Sequence, residues 1–201
     1  MTSLRCLSVT SKQSILPYDE FACLNHLQTL SFHNCDNLEF FLFEQQLPSI
    51  EELYFESCES LECLSLNIFP KLQTLFIRNC QMLDMSLNNE RPVPKLTMKH
   101  LYLMNFPRLV TLPRWVACAA GTLETFVIND VPNLQMDPEC IITMTHLKRL
   151  HIAGCHQPFS LPCDMCCLTA LKYFHIADCP ELYFKNVSSN FVSTRIKSIF
   201  I

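Results

Sequence analysis

The sequence predicts an α/β repeat solenoid, in which a curved parallel sheet of about nine short strands is joined by return segments that are mostly irregular or short-helical. Three observations carry this. One twelve-residue pattern, apolar-x-x-apolar-x-apolar-x-x-Cys-x-x-Leu, occurs as LQTLSFHNCDNL from Leu27, IEELYFESCESL from Ile50, LQTLFIRNCQML from Leu72 and LKYFHIADCPEL from Leu171. Looser copies of it fall at nearly constant spacing along the rest of the chain. Finally, 49% of the 201 residues are hydrophobic and 17% are charged, a balance that supports a packed core over disorder.

Taken in order, the units start at Leu4, Leu27, Ile50, Leu72, Met98, Leu123, Leu147 and Leu171, and a half unit, IKSIFI, starts at Ile196. The steps between starts run from 22 to 26 residues, inside the roughly 20 to 29 residue period of leucine-rich repeats. Residues 1–201 therefore read as a single leucine-rich-repeat domain. Within each apolar-x-apolar triplet successive side chains point to opposite faces of a strand, so one set turns inward and the residues between turn outward. No unit can bury its apolar side alone. Stacking pairs the strands and joins their inward side chains into one core.

The ninth position of the pattern holds Cys35, Cys58, Cys80, Cys155 and Cys179. A small thiol fits the bend there and can meet backbone groups left free where the chain leaves the strand. Among the return segments, TLPRWV from Thr111 and SLPCDM from Ser160 carry a Leu-Pro step, and Leu161, Met165 and Leu168 are spaced for the inner side of a short helical turn. Segments with Pro48, Pro70 and Pro94 read as irregular or extended. The stretch 84–95, DMSLNNERPVPK, reads as a surface loop. Pro158 stands where the unit from Leu147 should place a leucine, and Phe159 is expected to take over that position. Neither Leu4, Leu7 and Val9 nor Ile196, Ile199 and Ile201 has an evident polar cap, which suggests a piece of a larger protein.

Composition narrows the function. A net charge of -4 offers no electrostatic footprint for nucleic acid or an anionic membrane. The apolar runs are too short for a membrane span, and the N-terminus lacks a secretory pattern. Thirteen cysteines cannot all pair within one chain, so they read as thiols in a reducing, cytoplasmic setting. Neither of the two glycines, Gly121 and Gly154, belongs to a phosphate loop or dinucleotide fingerprint. No hydrolase elbow, metalloprotease helix or Cys-His constellation stands out, so no enzyme and no cofactor is expected. The run Cys163, Cys166, Cys167 lacks the second ligand pair of a structural zinc site. The triplet Asn186-Val187-Ser188 matches a glycosylation sequon without an export signal to use it.

Binding is then expected on the concave face, where outward residues form columns roughly 4.8 Å apart. The central column runs Ser8, Ser31, Tyr54, Phe76, Tyr102, Val127, His151, His175 and Phe200. Its flanks carry Glu52, Thr74, His100, Arg149 and Tyr173 on one side and His33, Glu56, Arg78 and Met104 on the other. Tyr54, Phe76, Tyr102 and Arg78, with Glu52, Glu56, Arg149, His151 and His175, form the expected protein-binding surface, since aromatic and Arg side chains dominate binding hot spots. The bland alternative is that the aromatics only brace the sheet through cross-strand contacts. His151 and His175, stacked one repeat apart, lack a third ligand for a metal.

The irregular repeats with Cys at position nine, LPRWVACAAGTLETFVINDVPNL from Leu112, SLPCDMCCLTALKYFHIADCPEL from Ser160 and the closing RIKSIFI resemble the C-terminal repeats of plant intracellular nucleotide-binding leucine-rich-repeat disease resistance proteins of the coiled-coil type. The likeness covers nearly the whole chain. It implies a defense role in which the repeats recognise a pathogen effector, a host target or the receptor's own switch domain, with the coiled-coil and nucleotide-binding domains that precede the repeats in that family absent from these 201 residues. The alternative is a scaffold or substrate-recognition subunit of a ubiquitin ligase, which would use the same face.

Overall fold

The structure is a computed structural model and describes residues 4–14, 24–41, 46–85, 96–162, 164–184 and 198–200. In chain order its elements are β1 (Cys6–Val9), β2 (Thr29–His33), β3 (Phe40–Phe41), β4 (Glu52–Glu56), β5 (Cys63–Leu64), β6 (Thr74–Arg78), β7 (His100–Met104), α1 (Arg114–Ala119), β8 (Thr125–Asn129), α2 (Pro138–Ile142), β9 (Arg149–Ala153), β10 (Phe159–Leu161), a 3-10 turn (Met165–Cys167), β11 (Tyr173–Ala177), β12 (Leu182–Phe184) and β13 (Ser198–Phe200). One strand from each unit enters a nine-stranded parallel sheet in the order β1-β2-β4-β6-β7-β8-β9-β11-β13. The fold is a leucine-rich-repeat solenoid.

Period-two alternation explains the sheet. Leu30 and Phe32, Leu53 and Phe55, Leu75 and Ile77, Leu101 and Leu103, Phe126 and Ile128, Leu150 and Ile152, Phe174 and Ile176 are all buried on the inner side. In the first half of the stack phenylalanines fill the core. Phe32 and Phe55 stack with ring centres 5.1 Å apart, Phe41 lies edge-on to both at 5.0 Å, and Phe69 lies 6.1 Å from Phe41. Offset and edge-on aromatic pairs of this kind add about 0.5–1.5 kcal/mol beyond their buried area.

The chain leaves each strand through one repeated device. Asn34, Ser57, Asn79, Asn105, Asp130, Gly154 and Asp178 all have φ between 50° and 63°, at the eighth position of their units. Asn and Asp tolerate this left-handed region better than other side chains, and Gly without strain. Each of the first six donates its N–H to the carbonyl that closes the next strand, as in Asn34 to Glu56 and Gly154 to Ala177. Gly154 has a further reason to lack a side chain, since a Cβ there would lie 2.5 Å from Asp130 Oδ1.

Position nine follows. Cys35, Cys58, Cys80, Cys155 and Cys179 are buried free thiols, and each donates to the carbonyl two residues back at 3.2–3.8 Å. Cys35 and Cys58 reach the preceding unit as well, at Val9 and Phe32. Phe106 and Val131 fill the same place in the units from Met98 and Leu123. The hydrogen bond to Cys179, then burial, pushes the Cys155 thiol up, and the bond to Cys80, then burial, does the same for Cys58.

Return segments carry little helix. α1 begins directly after Pro113 and buries Trp115, Val116 and Ala119. α2 has Pro138 in its first turn and is capped by Asp137, whose carboxylate accepts from Glu139 N–H at 3.0 Å. Leu161, Met165 and Leu168 are all buried as expected, but only Met165 lies in the 3-10 turn, whereas Leu161 ends β10 and Leu168 follows the turn. Phe159 is buried while Pro158 is exposed, so the aromatic does occupy the missing leucine's place. On the outer side β3 pairs with β5 and β10 with β12, two small parallel ladders that the sequence reading did not anticipate. Most of the loop at 84–95, together with Cys163 and the sequon at 186–188, lies outside the described residues.

One expectation needs correction. β13 sets Ser198 beside His175 and Phe200 beside Ala177, so Ser198 and not Phe200 continues the central column. A slip of two residues keeps the same residues on each face, so hydrophobic alternation cannot distinguish the two registers.

Candidate protein-binding groove

The outward residues fall into the expected columns. Tyr54 pairs in register with Phe76, Phe76 with Tyr102, Tyr102 with Val127 and Val127 with His151. The rings of Tyr54 and Phe76, and of Phe76 and Tyr102, lie 5.8 Å apart and tilted by 40° and 46°. These aromatics are half-buried against one another, not freely exposed. Val127 is nearly covered, with 9% of its surface accessible.

Glu52 organises the first part of this face. Its carboxylate accepts from the Thr29 hydroxyl at 3.1 Å and from the Tyr54 hydroxyl at 3.3 Å. Burial, then the neighbouring Glu52 charge, raises the Tyr54 phenol above its ordinary range. On the opposite edge Glu56 bridges His33 Nδ1 at 3.3 Å and Arg78 Nη1 at 3.4 Å. The Arg78 pair is solvent-exposed, and such pairs contribute about 0–1 kcal/mol.

Farther along, His151 and His175 stack with ring centres 4.7 Å apart, and Tyr173 continues the stack at 6.3 Å from His175. Arg149 lies over the Tyr173 ring with its guanidinium carbon 5.2 Å from the centroid, a cation–π contact. Burial, then His175 and Arg149, hold the His151 imidazole below its ordinary value.

An open groove of about 650 Å³ runs along one side of this face, and its walls include Tyr54, Phe76, Tyr102, Arg149 and Tyr173. Of the nine residues singled out from sequence, the groove brings together Tyr54, Phe76, Tyr102 and Arg149, with Glu52 behind Tyr54. Arg78 and Glu56 stand on the other edge, and the two histidines lie between.

Three lining residues escaped the sequence reading: Glu124, Lys148 and Lys172. They occupy the second position of their units, one residue ahead of the strand. In every unit from Leu27 to Leu171 the N–H groups of positions two and three both donate to the position-two carbonyl of the unit before, as Lys148 and Arg149 do to Glu124. That shared acceptor holds the position-two residues in a row along the strand starts. The signal was present as a fourth column, Arg5, Gln28, Glu51, Gln73, Lys99, Glu124, Lys148 and Lys172. Lys148 Nζ bonds Glu124 Oε2 at 2.7 Å, and that hydrogen bond holds the Glu124 carboxyl below its ordinary value.

Among the described residues no group of three or more His, Cys, Asp or Glu is placed to hold a metal ion, and no helix is long and apolar enough to cross a membrane.

Comparison of the sequence with protein-family models and with curated proteins gives no match. Among solved structures the chain is similar to a leucine-rich-repeat protein of Leptospira interrogans, with a TM-score of 0.57 and 23% identity over 90% of this chain. The chain spans about half of that protein's length, with 50% of it covered. At this identity the likeness speaks to the fold, and it joins the nine-stranded parallel ladder in identifying a leucine-rich-repeat solenoid.

Proposed function

We propose that this chain is the protein-recognition module of a plant intracellular immune receptor, binding a pathogen effector, a host target or the receptor's own switch domain through the open face of its sheet. The observation that carries the reading is the aromatic ladder Tyr54, Phe76, Tyr102 beside a long open groove. Amphipathic aromatics bordered by charge are what protein hot spots are built from. Resemblance of the irregular, Cys-containing repeats to that receptor family supplies the biological setting. Buried thiols at position nine suit a reducing compartment. The reading assigns the chain no catalytic role and no cofactor.

The test is proximity labelling in the native cell with the full chain and with a Tyr54→Ala, Phe76→Ala, Tyr102→Ala version. Because these rings also brace the sheet, thermal melts must first show that the variant is folded at the growth temperature. Loss of a discrete set of protein partners in a folded variant supports the reading, and an unchanged set removes the groove from recognition.

A further inference from the structure

The two ends of the groove differ in charge although the whole chain is acidic, with the exposed Lys99 between them. At the Tyr54 end stand Glu51 and Glu52, the first bonded to Gln73 Nε2 at 3.2 Å and the second to Tyr54. At the far end stand Lys148, Arg149 and Lys172, all exposed. Lys148 is matched by Glu124, whereas neither Arg149 nor Lys172 has an ion-pair partner among the described residues. The chain's net charge of -4 makes this cationic end a local segregation and not part of a general basic surface.

We infer that the groove takes an extended peptide segment of a partner protein, lying across the repeats, whose acidic end sits between Arg149 and Lys172 and whose apolar side chains rest on Tyr54, Phe76 and Tyr102. The inference rests on the recognition reading above and narrows it to one class of ligand with one orientation.

Length supports it. From β4 to β11 the sheet order crosses β6, β7, β8 and β9, which at roughly 4.8 Å per spacing is about 24 Å. An extended peptide rising about 3.3 Å per residue covers that span with roughly seven residues. Chemistry supports it too. Polyanions fit poorly, because a phosphate backbone or an anionic bilayer that engaged Arg149 and Lys172 would next meet Lys148 already paired with Glu124 and then, past Lys99, the carboxylates of Glu51 and Glu52. A peptide can change sign along its length and the groove requires that. Arg149 is held by the Tyr173 ring, so its guanidinium is ordered for a carboxylate before a ligand arrives.

The experiment measures fluorescence anisotropy of labelled seven-residue peptide pools with the full chain. Each pool has Leu, Phe or Tyr at central positions, and either Asp and Glu or Lys and Arg at one end. The acidic pools are expected to bind at least about tenfold more tightly than the basic ones. Arg149→Glu with Lys172→Glu should reverse that order, and the milder Arg149→Gln with Lys172→Gln should erase it. Lys71→Glu with Arg114→Glu makes the same charge change on return segments and should leave it intact. The inference is overturned if acidic and basic pools bind alike or not at all, if the reversal variant keeps the wild-type order, or if a single-stranded oligonucleotide or a phosphatidylserine vesicle binds as tightly as the acidic pools. Partner labelling that depends on Tyr54, Phe76 and Tyr102 but ignores Arg149→Glu with Lys172→Glu would sink the charge polarity and leave the recognition reading standing.

Discussion

His151 and His175, on adjacent strands, lie face to face with 4.7 Å between ring centres and 15° between ring planes. Two imidazoles this close cannot both take a proton without mutual repulsion, and Arg149 adds a third positive charge nearby. Burial, the stacked partner and Arg149 hold His151 below the 6.5 of a free imidazole. The unfolded chain therefore binds that proton more readily than the folded one. Stability is greatest above pH 6.5 and declines as pH falls from there toward the depressed folded value. Thermal melts across this interval check it, because His151→Gln should flatten the acid-side decline. A glutamine chain that loses as much on acidification as the wild type would show that the decline arises elsewhere.

Gly154 and Gly121 should respond unequally to alanine. The first has φ of 63° and no room beside Asp130, while the second would place a Cβ with nothing within 4 Å. A left-handed alanine costs roughly 1–2 kcal/mol before the clash is counted. Urea titrations should show Gly154→Ala lowering stability by at least about 1 kcal/mol and Gly121→Ala changing it by less than about 0.5 kcal/mol. Equal midpoints for the two would mean that the turn relaxes around the new methyl group.

Double-mutant cycles can read the aromatic ladder directly. Tyr54 with Phe76, and Phe76 with Tyr102, should each show a coupling of about 0.5–1.5 kcal/mol. Tyr54 with Tyr102, two strands apart and linked through Phe76, should show a smaller coupling than either adjacent pair. Couplings near zero throughout would show that the rings neighbour one another without bracing the sheet.

Thiol reactivity should divide by position in the coil. Cys6, Cys118, Cys166 and Cys167 are exposed, whereas Cys35, Cys58, Cys80, Cys155 and Cys179 are buried. Burial, then the nearby Asp137 charge, pushes the half-buried Cys140 up to about 12. Brief treatment of the folded chain with iodoacetamide, followed by peptide mass spectrometry, should modify the exposed set and spare Cys140 and the five at position nine. Fast labelling of Cys58 or Cys155 would mean that neighbouring coils separate readily.

The main strands were legible because alternation and a fixed period both act on the same residues. A leucine displaced by one place would turn a whole strand inside out, so the pattern is strongly constrained. Three things were not legible, each for a physical reason. The left-handed position carries no glycine signal, because Asn, Asp and Ser fill six of the seven sites. The outer ladders β3–β5 and β10–β12 are too short to carry a period of their own. The cationic end of the groove was missed because Lys148 and Lys172 precede their strands, and only the doubled hydrogen bond at each strand start reveals that they share a face with Arg149.

Every strand of the main sheet is bonded only to those of the coils before and after it. Under tension such a stack has no crossing point at which distant segments clamp one another. Coils should peel away singly, each releasing roughly 80 Å of contour at about 3.4 Å per residue. A ligand lying across six strands would tie those coils into one mechanical unit, so that force, and not only affinity, would register its presence.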